Sequence, residues 1–130
     1  MSTALIGRSE HTASARAIIG PGKWLCVEQK ILCVSEPGKA RDIARQTMAF
    51  YLPLANYRNN WKRLGFTEED LAGGGSSRFL DAMVAWGTEA AIAQRIQAHF
   101  DAGANHVCIQ PLHPEGQALP DYNALTALAA

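Results

Sequence analysis

The sequence predicts an α/β protein in which parallel strands are connected by helical crossovers. Two short apolar runs, residues 31–34 and 107–109, have the composition of strands buried on both faces of a sheet. Between them, apolar residues recur at three- and four-residue spacing, which is typical of helices with one buried face. Alternating segments of these two kinds favour a parallel sheet. So few strands among so many helices indicate part of a larger α/β fold.

Length and charge set the broad class. The chain has 130 residues, 12 Lys and Arg, and 12 Asp and Glu, which predicts one ordered domain over residues 1–130, with residues 1–9 expected to be disordered. The balanced charge argues against a nucleic-acid partner. No run of eighteen apolar residues predicts a membrane span, and no signal peptide is recognisable, so we expect a cytoplasmic protein without a membrane partner.

The charge is divided unevenly along the chain. Residues 1–65 carry ten basic and four acidic groups, whereas residues 66–130 carry two basic and eight acidic groups. Either the two halves attract each other within one fold, or the basic half helps to hold an anionic ligand.

The first elements are predicted from residues that cap helices and from residues that end them. Thr12 is placed to cap a helix over residues 13–19, which Gly20-Pro21-Gly22 ends. The apolar residues 24–27 and 31–34 follow, interrupted by a polar stretch. Pro37 then suits the first position of a second helix.

The second helix has a clear buried stripe and is expected to end before Pro53. The stripe consists of Ala40, Ile43, Ala44, Thr47, Met48 and Tyr51. A polar, aromatic helix over residues 56–64 follows, with Gly65 as its stop. Residues 67–70 predict another helix start, and residues 73–77 a flexible turn.

The second half predicts a helix that runs directly into a short strand, residues 83–86. Thr88 caps the next helix, residues 89–102, whose stripe is Ile92, Ile96 and Phe100. A buried strand over residues 107–109, a loop and a terminal helix over residues 122–129 complete the chain.

The three cysteines give no sign of a metal site or a disulfide. Cys26, Cys33 and Cys108 form no CxxC pair, and we expect reduced, buried thiols. GxSxG, GxGxxG, P-loop and HExxH strings are absent, and Gly73-Gly74-Gly75 is interpreted as a turn.

Two candidate sites lie in the first half of the chain. His11 and Thr12 lie at a helix start, which either caps the helix or favours an anion such as phosphate. The segment around Arg58, residues 56–61, combines amides, a guanidinium and two aromatic rings. It either grips phosphate or stacks on a flat ring, or it is a polar surface helix above a packed Trp61.

Two further candidates follow strands. Gly87 and Thr88 join a strand to a helix N-terminus, where phosphate binds in many barrels, although a cap is the simpler interpretation. Gln110 and His113 follow the last strand, at the sheet edge where α/β proteins bind ligands. A solvated loop is the alternative. We interpret His99 and His106 as surface or helix-end residues.

Several strings together resemble the luciferase-like monooxygenase family, and most closely its branch of coenzyme F-420-dependent oxidoreductases. The most specific is LANYRNNWKRLGFTEEDLAGGGS at residues 54–76. Similar strings occur at residues 10–22, 25–30, 81–87 and 102–110. The resemblance covers residues 10–112.

The resemblance implies that the chain is the C-terminal part of a (β/α)₈ TIM-type barrel, an incomplete barrel of three or four βα units. It implies FMN or coenzyme F-420 as cofactor, with His11, Thr12, Arg58, Gly87, Thr88 and Gln110 as candidate cofactor-binding residues. No catalytic residue and no metal ligand can be matched.

Two functions follow as expectations. The first is an oxidoreductase portion that acts as a monooxygenase or transfers hydride on a small organic substrate, and that is not active alone. The second is a non-catalytic half-barrel that serves as an oligomerisation or interaction module, because an open parallel sheet leaves an unpaired edge. The expected partners are a second copy of the chain or a complementing half-barrel.

Overall fold

The computed structural model describes residues 2–3 and 8–129. Within these ranges the chain forms a parallel sheet and helices that connect its strands, which confirms the predicted α/β class. The strands are β1 (Ser2–Thr3), β2 (Cys26–Leu32), β3 (Val84–Trp86) and β4 (His106–Pro111). The helices are α1 (Ser9–Ile19), α2 (Pro37–Met48), α3 (Ala55–Arg63), α4 (Glu68–Leu71), α5 (Ser77–Met83), α6 (Glu89–Asp101) and α7 (Tyr122–Leu128).

Strand β2 lies at the centre of the sheet. Strand β4 pairs with one edge of it, from Cys26↔His106 to Ile31↔Pro111. Strands β1 and β3 share the other edge, β1 beside the start of β2 and β3 beside its end. The main order is therefore β3–β2–β4, with all pairs parallel.

This order differs from that of a barrel, in which each strand lies beside the next one along the chain. Instead, β4 has crossed over β2, as in an open doubly wound sheet. The lengths of the strands explain why β4 pairs with β2 and not with β3. Strand β3 has three residues, whereas β2 has seven, so β2 offers β4 a longer ladder of hydrogen bonds.

The two faces of the sheet carry different helices. Leu32 on β2 packs with side chains of α2 and α5, so we call this side the α2 face. Its neighbour Ile31 points to the opposite side and packs with Ile92 of α6 and Ala124 of α7, on what we call the α6 face. A smaller cluster joins Ala15 of α1 to the α6 face.

The main core is built on the α2 face around an aromatic group. Trp61 and Phe79 are fully buried, with ring centroids 4.8 Å apart in an edge-to-face arrangement. Phe66 also meets Phe79 edge to face at 5.4 Å. The predicted stripe of α2 is confirmed at Ala40, Ile43, Ala44 and Met48, which are buried, while Thr47 and Tyr51 are half-buried.

Four details of the prediction are corrected. Helix α1 begins at Ser9, one turn earlier than expected, because the hydroxyl of Thr12 bonds to His99 and does not cap the helix. Strand β2 includes the polar residues that the apolar pattern left out, since their backbone pairs with β4. Residues 107–109 are not buried on both faces: β4 is an edge strand on which Cys108 is exposed. On α6, Phe100 is exposed and His99 is buried in its place.

The cysteines are free, as expected, but they are not fully buried: Cys26 and Cys33 are half-buried. The predicted attraction between the two halves is confirmed by four ion pairs. They join Lys39 to Glu115, Arg41 to Asp81, Arg58 to Glu68, and Lys62 to Glu68.

Residues 1–9 are predicted from the sequence to be disordered. Within that range, Ser2–Thr3 pair with β2, and Ser9 begins α1. Residues 1 and 4–7 of that prediction lie outside the described residues.

Candidate functional site

The carboxyl ends of the strands form the sheet edge at which a ligand site is expected. After β2 the chain turns to the α2 face, whereas after β3 and β4 it turns to the α6 face. In open α/β sheets, ligands bind in crevices where neighbouring strands diverge in this way.

A groove lies at this edge between α2 and the loop that follows β4. It consists of two adjoining cavities of about 420 and 200 Å³, which share Ile43, Gln46 and Gly116. The polar side chains along it are Glu36, Lys39, Asp42, Gln46, Thr47, His113, Glu115 and Gln117. His113 therefore lines a cavity at the predicted edge.

The chemistry of this groove does not suit an anion. Glu36 already occupies the N-terminus of α2, where its carboxylate accepts hydrogen bonds from the backbone N–H of Gly38 at 2.9 Å and of Lys39 at 2.6 Å. These bonds hold the pKa of Glu36 below its usual value. The side chain of Lys39 pairs with Glu115 at 3.2 Å. With Asp42, which pairs with Arg45 at 3.0 Å, three carboxylates face two cations, so a neutral or cationic ligand fits better.

Gly87 and Thr88 present the N-terminus of α6 at the same sheet edge. Gly87 has a φ of 129°, in the left-handed region that favours glycine, and its N–H donates to the carbonyl of Leu32 at 3.1 Å. The hydroxyl of Thr88 accepts from the N–H of Ala91 at 3.2 Å, which confirms the predicted cap. Thr88 is exposed, so the first turn of this 13-residue helix faces solvent.

Gln110 lies on the α2 face and not in the groove. Its side-chain oxygen accepts a hydrogen bond from Lys30 Nζ at 2.9 Å. Lys30 also pairs with Glu28 at 2.7 Å, and its ammonium lies 5.5 Å from the centre of the Tyr51 ring. A lysine only 3% exposed needs such partners, because burying an isolated charge is costly. The polar residues that interrupt the apolar pattern of β2 are the sequence feature that could have revealed this cluster.

Thr12 belongs to a buried network. The side-chain N–H₂ of Gln29 donates to the carbonyls of Lys30 and Met83, so its oxygen accepts from Nε2–H of His99 at 2.9 Å. Neutral His99 then has no proton on Nδ1, which accepts from the Thr12 hydroxyl at 2.9 Å. All three side chains are almost fully buried. Thr12 is therefore not available to a cofactor.

His11 and Arg58 are also poorly placed to hold a phosphate. Burial lowers the pKa of His11, so the imidazole is neutral at pH 7. The guanidinium of Arg58 donates to the carbonyl of Leu52 at 3.1 Å and to Glu68 at 2.6 Å. The side chain of Trp61 is buried on the inner side of α3. The interpretation of this segment as a polar surface helix above a packed tryptophan is therefore confirmed.

The six predicted cofactor residues thus do not converge in this structure. Thr12 lies in a buried network, Arg58 is held by an ion pair, and Gln110 lies on the α2 face. Of the predicted residues, Thr88 is exposed at a helix N-terminus, with the half-buried Gly87 directly before it.

A further cavity of about 470 Å³ was not foreseen from the sequence. We call it the arginine pocket. Its walls are formed by Arg8, Ser9 and Glu10 at the start of α1, by Phe66 in the segment before α4, by Arg78, Asp81 and Ala82 on α5, and by Arg95 on α6. Because these residues are scattered over the chain, no local pattern could have revealed it.

Two properties concern the described residues only. Over residues 2–3 and 8–129, no cluster of three or more His, Cys, Asp or Glu side chains is arranged to hold a metal ion. No helix in those ranges combines the length and apolar character needed to cross a bilayer.

Comparison with known proteins adds no relative: no protein-family model and no curated protein matches the chain.

Proposed function

We propose that this chain is the C-terminal portion of a luciferase-like, FMN- or F-420-dependent oxidoreductase and is not active alone. The reaction would be monooxygenation or hydride transfer on a small organic substrate. The support from sequence is the resemblance over residues 10–112. The cofactor, when bound, supplies the electron chemistry, and the protein binds and orients it.

The structural observation that carries the proposal is an incompletely covered sheet. On the α2 face, Leu32 is buried under helices, but His106, Cys108 and Gln110 of β4 are exposed. Parallel sheets in α/β proteins normally have both faces covered. The open part of this face therefore has the character of a surface that further chain covers.

The proposal has a consequence for strand pairing. In a complete (β/α)₈ barrel, β4 would lie beside β3 and would not pair with β2. A chain that derives from such a barrel must therefore change its strand pairing. Strand β4 would leave β2 and pair with β3 when the strands that complete the barrel are present.

In the proposed enzyme, Gly87 and Thr88 would hold the phosphate end of the cofactor. The N–H groups of the first turn of α6 and the helix dipole favour an anion there. Thr88 is exposed, so a ligand can reach this turn, where its phosphate would displace the exposed carboxylate of Glu89 as the anion nearest the helix end. Residues that contact the ring system would come from the completing portion.

Fluorescence titration with F-420 and with FMN tests this assignment. We expect weak, saturable binding that Ala90→Glu lowers roughly three- to tenfold, because the added carboxylate repels the phosphate. Ala90 lies in the exposed first turn of α6. Ala90→Gln, of nearly the same size, is the matched control and should bind like the unchanged protein. Absence of binding of either cofactor at about 1 mM would contradict the proposal.

A non-catalytic interaction module is the second candidate, favoured by the free edge of β4. This six-residue strand pairs with β2 on one side, and the described residues place no strand on its other side. Such an edge is a template for pairing with another chain. The partner would be a second copy of this chain or a complementing half-barrel.

Light scattering at several protein concentrations distinguishes this candidate. We expect concentration-dependent dimers that Cys108→Lys disrupts, since an exposed lysine on an edge strand opposes pairing. Cys108→Ser is the control and should still dimerise. A monodisperse monomer with one cooperative unfolding transition would argue against the module.

A further inference from the structure

The arginine pocket holds two guanidinium groups against one aromatic ring. The guanidinium carbon of Arg8 lies 5.4 Å from the centre of the Phe66 ring, and that of Arg78 lies 4.8 Å from it. Cation–π contacts of this kind fix both side chains. Arg78 is further held by Asp70, at 2.6 Å, and by the carbonyl of Gly65, at 2.9 Å. Two positive charges are thus positioned together at one wall of the pocket.

Arg95 brings a third guanidinium from α6. It donates hydrogen bonds to the backbone carbonyls of Asp81, at 2.9 Å, and of Ala82. These bonds anchor the side chain at the end of α5, so the pocket is lined by arginines from three separate parts of the chain.

The two acids of the pocket do not cancel these charges. The carboxylate of Asp81 is shared with Arg41, which lies outside the pocket and donates to both of its oxygens at 3.0 and 2.8 Å. It also accepts from the indole N–H of Trp86 at 2.9 Å. Glu10 pairs with Arg8 at 3.0 Å. Counting Arg41 with Asp81 and Asp70 with Arg78, four guanidinium groups face three carboxylates, so the site retains one net positive charge.

The buried guanidinium of Arg95 lies among charges of both signs. Its pKa is lowered mainly by burial and further by the charge of Arg8, whereas Glu10, which acts more strongly than Arg8, and Asp81 raise it. An anion bound beside Arg95 would offset the cost of burying its charge.

The start of α1 adds to the positive potential. Arg8 is the N-cap residue and its side chain makes no capping hydrogen bond, so the first turn faces the pocket through Ser9 and Glu10. The N-terminus of an 11-residue helix carries a partial positive charge. The carboxylate of Glu10 offsets part of it, because the hydrogen bond that it accepts from the backbone N–H of Glu10 and its contact with Arg8 lower its pKa.

We propose that the arginine pocket binds the phosphate monoester of a small organic molecule. Three guanidinium groups from separate segments of the chain can donate to the three terminal oxygens of a tetrahedral phosphate, whereas a planar carboxylate pairs with a single guanidinium. A cavity of about 470 Å³ also has room for an organic group attached to the phosphate.

This site is separate from the turn assigned to the cofactor. Asp81 and Ala82 precede β3, whereas Gly87 and Thr88 follow it at the opposite end of the strand. The two assignments can therefore succeed or fail independently.

The test is ¹H–¹⁵N NMR titration of the whole chain with inorganic phosphate, phenyl phosphate and acetate. We expect both phosphates to shift the amides of Ser9, Glu10 and Ala82, phenyl phosphate more tightly, and acetate to have little effect. Arg78→Gln and Arg8→Gln should each weaken phosphate binding about tenfold. Arg63→Gln removes an exposed arginine of α3 outside the pocket and should bind normally.

Each alternative result is decisive. Failure of both phosphates to shift these amides at about 10 mM would overturn the proposal, as would equal weakening by Arg63→Gln, which indicates general charge attraction. Arg8→Gln makes the test independent of Arg78, whose removal also breaks contacts to α4. Binding of inorganic phosphate without any preference for phenyl phosphate would overturn the organic part of the assignment.

Discussion

Trp61→Ala is expected to lower the free energy of unfolding by about 3–5 kcal/mol, the range for removing a large buried aromatic side chain. Trp61 is 0% exposed, packs edge to face on Phe79 at 4.8 Å, and stacks on Tyr57 at 5.9 Å. Removing the indole leaves a cavity between α3 and α5 that the surrounding helices can only partly fill.

Urea denaturation followed by far-ultraviolet circular dichroism measures this loss. Trp24→Ala is the matched control, because Trp24 is 68% exposed and its truncation should change stability by no more than about 0.5 kcal/mol. If the alanine variant is too unstable to purify, Trp61→Phe should show the same sign with a smaller loss. Similar stabilities for the Trp61→Ala and Trp24→Ala variants would contradict the described core.

His99→Ala is expected to cost about 2–4 kcal/mol at pH 7. It removes the hydrogen-bond partner of both Thr12 and Gln29, which are buried and would be left with unsatisfied polar atoms. Thr12→Val, which removes one of the two bonds and keeps the shape, should cost less. A variant of His99 as stable as the unchanged protein would show that the network does not form.

The same histidine predicts a pH dependence. Burial and, next, the charge of Arg95 lower the pKa of His99 below its usual 6.5 in the folded protein. Between the two pKa values the unfolded chain binds the extra proton, so stability is complete above about pH 6.5 and falls as the pH drops below it, by at most about 1.4 kcal/mol per unit. The pKa of His11 is lowered by burial and acts in the same direction.

Thermal unfolding between pH 7 and pH 5 tests this dependence. His99→Gln should flatten the profile, and His11→Gln should flatten it in part. The lowered pKa values of Glu36 and Glu68 affect stability only below about pH 4.5, outside this window. A slope of opposite sign would contradict the buried neutral imidazole.

Elements with strong local signals could be predicted from the sequence. Pro37 begins α2, the hydroxyl of Thr88 caps α6, and the helix before β3 runs directly into the strand. In each case the deciding contact lies within about four residues, so a short window of sequence contains it.

Features that depend on distant residues could not be predicted. His99 is buried because Thr12 and Gln29, 87 and 70 residues away, satisfy its two ring nitrogens. A periodic pattern treats histidine as polar and selects Phe100 in its place. The position of β4 likewise depends on which distant strand offers it the longer ladder of backbone hydrogen bonds. The arginine pocket depends on helices that meet only after folding.

The central position of β2 has a consequence for synthesis on the ribosome. Lys30 finds its β4 partner, Gln110, 80 residues later in the chain. At about 5–20 residues per second, roughly 4–16 s pass between the emergence of the two strands. During that interval the β4-binding edge of β2 is unpaired, and an unpaired parallel strand is a target for chaperones and for aggregation. Slowing translation after α2 should therefore lower the yield of soluble protein.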